Sequence, residues 1–206
     1  MLDGWENINF RLDTLAITNS GFSTEVISTI VDLSATTLRR LLLDIPTIWV
    51  YDDNIPLPPY SITYPDLLPL LVPVYANLIS LSLRQIHLDE AALILPFCTN
   101  LKSLAIQHPG DEDDDEFDLE DLKTLFHLLP NTSLISVKID FCVSNTSIEG
   151  SVELAAKSFF EIEPFKNVRY WLLDNLEQGI EADCEDCYSS MENKGIEVWV
   201  TSGEPI

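Results

Sequence analysis

The sequence predicts an α/β fold in which short parallel strands alternate with helices along the chain. Three observations favour this fold. One apolar pattern returns at least six times along the 206 residues. Stretches with helical periodicity lie between its copies, and proline-rich or acidic insertions account for the unequal spacing. Alternation of strand and helix at such a period predicts right-handed crossovers and a parallel sheet.

The recurring pattern is apolar-x-x-apolar-x-apolar, and its copies start at residues 12, 38, 78, 101, 134 and 168. A partial seventh copy is formed by Ile196, Val198 and Val200. The last two apolar positions of each copy alternate with other residues, so they share one face of a short strand. The six complete copies read LDTLAI, LRRLLL, LISLSL, LKSLAI, LISVKI and VRYWLL.

Four segments between the strands predict helices. Residues 23–34 place Val26, Ile27, Ile30, Val31 and Leu33 at mostly helical spacing. Residues 88–98 are similar, with Pro96 ending the helix early. Residues 118–129 open on Asp118 as an N-cap and stop at Pro130, and residues 151–163 start at Ser151 and stop at Pro164.

Three segments depart from the repeat. Residues 46–65 form an insertion whose prolines exclude regular structure over most of it. Residues 110–118 form an acidic loop, and residues 176–195 form an acidic segment near the end of the chain. We expect one domain over residues 1–206, because no repeat can bury its apolar face alone and stacked repeats share one core.

The intervals between copies are 26, 40, 23, 33 and 34 residues. Leucine-rich repeats run about 20–29 residues per unit, so two intervals fit and three are long. The prediction is a leucine-rich-repeat solenoid of six to seven irregular repeats, with parallel strands on the concave face and helices on the convex face.

The strand phrases NLISLSLRQI and NLKSLAIQH resemble leucine-rich repeats of the ribonuclease-inhibitor-like type. The longer phrases PFCTNLKSLAI and LLPNTSLISVKI are similar to repeat regions of F-box proteins common in mushroom-forming fungi. That resemblance implies repeats that hold a protein, such as the substrate of a ubiquitin ligase. No recognisable F-box precedes residue 12, so we expect partner recognition, rather than docking onto the ligase scaffold, to carry over.

Charge and apolar content exclude several classes of function. The formal net charge is −23, and 46% of the residues are hydrophobic. A chain this acidic does not bind nucleic acid or anionic lipid through bulk charge. It has no apolar run long enough for a membrane span and no signal-peptide pattern at its start. We therefore expect a cytoplasmic or nuclear protein whose four cysteines are reduced.

The residues of chemical interest do not form a catalytic or metal site. Cys184 and Cys187 have metal-ligand spacing, but zinc needs four ligands and no second pair exists. The acidic run from Asp111 to Glu116 lacks the alternate spacing and the glycine of a calcium loop. No nucleophile or phosphate-binding motif accompanies the three histidines. We expect no enzyme activity, no metal and no cofactor.

The candidate binding site lies on the concave face of the predicted sheet. The residues between and just after the apolar positions point there. Five of them have side chains typical of interface anchors, namely Arg40, Arg84, Lys138, Tyr170 and Trp199. The first hypothesis is a non-enzymatic module that recognises a protein partner on this face. The alternative is a structural or regulatory fragment whose acidic loop binds a basic partner electrostatically.

Overall fold

The protein has an α/β fold built on a seven-stranded parallel sheet. The computed structural model describes residues 11–18, 22–45, 62–107, 124–130, 134–140, 170–176 and 197–202. The strands lie in the sheet in the order in which they occur in the chain, and each pair is parallel. The predicted α/β class and parallel sheet are therefore confirmed.

Every strand lies where the apolar pattern predicts it. The first six each begin two residues after the first apolar position of a copy, and the seventh begins directly after Ile196, the first residue of the partial copy. The strands are β1 Thr14–Thr18, β2 Arg40–Asp44, β3 Ser80–Arg84, β4 Ser103–Gln107, β5 Ser136–Asp140, β6 Tyr170–Leu176 and β7 Glu197–Ser202.

Neighbouring strands pair with equivalent motif positions opposite one another. Leu41 of β2 pairs with Leu81 of β3, which pairs with Leu104 of β4. The second and fourth positions of each strand thereby form two rows across the sheet. On β2, β3 and β4 these apolar residues are buried in one core with side chains from the helices, because strand alternation turns them to the same face.

Helix α1 spans Thr24–Ser34. Its N-cap is Ser23, whose Oγ accepts a hydrogen bond from the Val26 N–H at 3.4 Å. Ile27 and Val31 are buried, as their spacing predicts. Leu33, which was also included in the helical pattern, is exposed, and the buried position at this end of the helix belongs to Ser34. Position 34 lies three residues after Val31 and so on the same helix face.

Helix α2 spans Tyr64–Tyr75 and was not predicted. It overlaps the last two residues of the segment 46–65, so the irregular assignment is wrong at positions 64 and 65. Pro65 is compatible with the helix because the first turn needs no backbone donor. Pro69 and Pro73 follow at intervals of four and lie exposed on the same face. There, water can bond the carbonyls that these prolines leave unpaired.

Helix α3 is short, spanning Leu88–Ala92, and a 3-10 turn follows at Leu95–Phe97. The early end agrees with the expected effect of Pro96. The ring of Pro96 would clash with the carbonyl four residues earlier, that of Ala92, if the helix continued. Of the helix predicted over 118–129, residues 124–127 are helical, with Leu125 and Phe126 buried.

Two asparagines connect successive strand–helix units. The Nδ2 of Asn77 donates to the Ala35 carbonyl at 2.9 Å, and that of Asn100 donates to the Ala76 carbonyl at 2.7 Å. Ala35 and Ala76 are the C-cap residues of α1 and α2. Each asparagine stands directly before the first apolar residue of a copy and satisfies a carbonyl that the end of the preceding helix leaves open.

A buried tyrosine fixes the ends of two strands. The Tyr64 hydroxyl bonds the carbonyls of Leu43 at 3.3 Å and of Arg84 at 2.5 Å. Gln85, the next residue after β3, has a φ of 53°. This left-handed conformation turns the chain out of the sheet at the strand end.

Several predicted segments lie outside the described residues. They are the acidic loop 110–118, the helix over 151–163 and the acidic segment 176–195 apart from its first residue, Leu176, which ends β6. Within the described parts of the chain, no helix combines the length and the apolar character that crossing a bilayer requires.

Candidate partner-binding face of the sheet

The candidate site is the outer face of the sheet, formed by the first, third and fifth positions of the strands. The strand register aligns these positions in three rows. The first row is Thr14, Arg40, Ser80, Ser103, Ser136, Tyr170 and Glu197. The second row is Ala16, Leu42, Ser82, Ala105, Lys138, Leu172 and Trp199. The third row is Thr18, Asp44, Arg84, Gln107, Asp140, Asp174 and Thr201.

On strands β1 to β4 this face is shallow and largely uncharged. Seven of its twelve positions hold Ser, Thr or Ala, and none of the twelve is buried. Small side chains let another surface approach the sheet backbone closely, while partial exposure leaves their hydroxyl groups available for hydrogen bonds. This part of the face therefore presents mostly small and uncharged side chains, and few large ones that could anchor a partner.

Arg40 and Arg84, two of the five predicted anchors, form ion pairs within the fold. Arg40 Nη1 lies 3.2 Å from Asp13 Oδ2, and Arg84 Nη1 lies 3.4 Å from Asp44 Oδ2. The side chain of Arg40 is 64% exposed and that of Arg84 is 50% exposed. Solvent-exposed pairs of this kind contribute little to stability, so both guanidinium groups stay accessible to a partner at small cost.

The other three predicted anchors occupy neighbouring strands in the second half of the sheet. Lys138 on β5 is half-buried. It pairs in register with Leu172 of β6, which pairs with Trp199 of β7. Tyr170 starts β6, two positions before Leu172. Strand spacing of about 4.8 Å and a rise of about 3.3 Å per residue bring these three backbone positions within about 10 Å of one another.

The structure does not bring all five predicted residues together. Arg40 and Tyr170 share the first row, but four strand spacings separate them, or about 19 Å. Arg84 lies two strands and two positions from Lys138, or about 12 Å. The predicted site therefore consists of a group at Lys138, Tyr170 and Trp199 and two separate arginine positions.

The carboxylate partners of the two arginines were not among the predicted site residues. Asp13 precedes β1, and Asp44 ends β2. Asp44 belongs to the third row of the outer face, but its contact with Arg84 joins residues 40 positions apart in sequence. The alignment of repeat copies places Asp44 and Arg84 at equivalent positions of consecutive strands, and that alignment was the signal that could have identified the pair.

The strongly perturbed titratable groups in the described ranges belong to the core rather than to this face. Burial raises the pKa of the Cys98 thiol to about 12, and its Sγ contacts the Ile94 carbonyl at 3.6 Å. Burial also raises the pKa values of Tyr64 and Tyr75. The Tyr75 hydroxyl donates to the Leu68 carbonyl at 2.8 Å. These groups stabilise packing and do not present a reactive atom to solvent.

Glu90 and His87 lie at the start of α3. The His87 N–H donates to the Glu90 carboxylate at 3.4 Å, and burial raises the pKa of Glu90. This is the arrangement of a helix cap. Across the described ranges, no three His, Cys, Asp or Glu side chains come together as they would around a metal ion. Cys184, Cys187 and the run from Asp111 to Glu116 lie outside those ranges.

The negative charge is unevenly distributed between the described and the remaining residues. The described ranges contain ten acidic and six basic residues, whereas the rest of the chain contains 24 acidic and five basic ones. The strands and helices that form the candidate face are thus close to neutral. A partner that approaches this face meets local charges that differ from what the net charge of −23 implies.

The comparisons with known proteins assign no family. No protein-family model, no curated protein and no solved structure matches the chain.

Proposed function

We propose that this protein is a non-enzymatic protein–protein interaction module with the architecture of a leucine-rich-repeat solenoid. Its outer sheet face would be the concave, partner-binding surface. The sequential order of the seven parallel strands and their in-register pairing support the solenoid. The asparagine bonds between successive units also support it, because they repeat at equivalent motif positions.

The observation that carries the proposal is the placement of Lys138, Tyr170 and Trp199 on three neighbouring strands of one face. Aromatic and cationic residues provide much of the binding energy in protein interfaces, and they act best when clustered. The neighbouring serine and threonine positions would form the polar surroundings of such a cluster. Together they favour a protein ligand over a small molecule, because the face is extended and open.

The resemblance to F-box proteins suggests what the module recognises. Its repeats would hold a protein partner, such as a ubiquitin-ligase substrate, in the cytoplasm or nucleus. Six of the chain's acidic residues lie consecutively at 111–116, which follow β4 in the sequence. This run supports a second candidate function, electrostatic binding of a basic partner by the acidic segments.

The test is quantitative affinity capture with tagged full-length chain from cells of the source organism. We expect Tyr170→Ala/Trp199→Ala to lose the specific partner of the wild-type protein, with at least tenfold less recovered. The matched control is Phe22→Ala/Phe97→Ala, which removes two exposed aromatic side chains, 58% and 55% exposed, that lie off the sheet. This control should retain the partner.

Salt dependence separates the two candidate functions. Capture through the aromatic cluster should persist at about 0.5 M salt, where the Debye length is only a few ångströms. If salt releases the partner, and replacement of residues 111–116 by asparagines abolishes capture while Tyr170→Ala/Trp199→Ala does not, the acidic segments are the binding site. Equal loss in the Phe22→Ala/Phe97→Ala control would contradict both assignments.

A further inference from the structure

A second surface lies at the edge of the sheet where the strands begin. The residues directly before β2, β3, β4 and β5 are Arg39, Ile79, Lys102 and Ile135, which we call the edge column. Backbone bonds of 2.7–2.8 Å run from the Ile79 N–H to the Arg39 carbonyl, from Lys102 to Ile79, and from Ile135 to Lys102. The four positions therefore form a continuous hydrogen-bonded line along this edge of the sheet.

The edge column alternates between cationic and apolar side chains. Lys102 is exposed and Arg39 is half-buried. Ile79 and Ile135 are 38% and 39% exposed, which is high for isoleucine beside a core. Among the described residues, neither Arg39 nor Lys102 lies within ion-pair distance of a carboxylate. Asp13 lies directly before β1 and continues this line past Arg39, but its carboxylate is paired with Arg40.

The spacing of the edge column matches the pitch of an α-helix. Consecutive positions are about 4.8 Å apart because they belong to hydrogen-bonded strands. One helical turn rises about 5.4 Å, so the mismatch over the three intervals is about 2 Å, which long side chains can absorb. An extended peptide repeats each face every 6.6 Å or so and fits less well. A helix across the strands would place one residue per turn opposite each position.

We propose that the edge column binds an acidic amphipathic helix of a partner protein. Carboxylates one turn before and after an apolar residue would meet Arg39 and Lys102, and apolar residues on alternate turns would cover Ile79 and Ile135. Charge complementarity identifies this occupant, since two cations alternate with two apolar side chains in line. At physiological salt the Debye length is about 8 Å, so these cations act locally despite the net negative charge.

The test uses the full-length protein and a labelled helical peptide, with binding followed by fluorescence anisotropy at 0.15 M salt. The peptide carries two glutamates seven residues apart and a leucine four residues after each of them, on an alanine and glutamine background. We expect Lys102→Glu to weaken binding about tenfold or more, and a peptide with lysine at the facing position to restore it. Ile79→Ser should also weaken binding.

The matched control is Phe22→Glu, which introduces a carboxylate at an exposed position off the sheet and should leave peptide binding unchanged. Thermal unfolding of each variant checks that the fold is retained. Equal effects of Lys102→Glu and Phe22→Glu would overturn the proposal, as would equal binding of a sequence-scrambled peptide. Binding to phosphatidylserine-containing vesicles in place of the peptide would identify an anionic membrane as the occupant instead.

Discussion

The two faces of strand β3 differ completely although they alternate along the same five residues. Leu81 and Leu83 are buried in the core, whereas Ser82 is half-buried and Arg84 is exposed. One face fixes the strand by packing, and the other carries side chains that packing does not constrain. The outer face can therefore change its residues without loss of the fold, provided that the buried rows stay apolar.

The substitution expected to change the free energy of unfolding most is Leu81→Ala. Leu81 is 1% exposed and lies in the core between the strand neighbours Leu41 and Leu104. Removing its buried carbons should leave a cavity and lower the free energy of unfolding by about 3 kcal/mol. Urea unfolding followed by circular dichroism measures the change. Ser82→Ala on the same strand is the control, with an expected effect within about 0.5 kcal/mol. Similar losses in both variants would mean that the two faces do not differ in this way.

An effect of intermediate size on the free energy of unfolding is expected at alkaline pH. Burial raises the pKa of the Cys98 thiol from 9.0 to about 12, so the folded protein keeps this proton when the unfolded chain loses it. The stabilisation is therefore complete below pH 9 and is lost as the pH rises toward 12. Between about pH 8 and pH 10 the wild-type protein should lose about 1 kcal/mol more stability than Cys98→Ala. Parallel curves for the two proteins would show that this thiol is not buried.

The smallest expected effect belongs to the exposed ion pair of the outer face. Arg84→Ala removes the 3.4 Å contact with Asp44, and the side chain of Arg84 is 50% exposed. The free energy of unfolding should change by about 0.2–0.5 kcal/mol, and less at high salt. Chemical denaturation at two salt concentrations checks this. A loss of about 2 kcal/mol would mean that Arg84 stabilises the sheet and is not free to serve a partner.

Strand positions were predictable because strand alternation and the spacing of leucines are local signals. The register followed as well, since stacking equivalent repeat positions is the one arrangement that buries every apolar pair. Helix α2 was not predicted because three prolines within Tyr64–Tyr75 outweighed its apolar content. Only the structure shows that all three prolines lie exposed on one side of the helix.

The candidate site was predictable as a set of positions but not as a set of contacts. Alternation placed Arg40, Arg84 and Lys138 on the outer face, whereas their distances depend on the strand count between them. The ion pairs with Asp13 and Asp44 join residues 27 and 40 positions apart. The edge column was not predicted because only pairing between strands brings its four residues into line. Consecutive members are separated by 23 to 40 positions in sequence.

The sequential strand order has a consequence for how such a chain changes in evolution. Each strand pairs with the strands immediately before and after it in sequence. A duplication or deletion of one strand–helix unit therefore brings together two strands that present equivalent residues, and the remaining pairs are unaffected. The length of the sheet can vary in whole units while the apolar rows continue across the junction. A gene built in this way can change the size of the outer face and the residues on it separately.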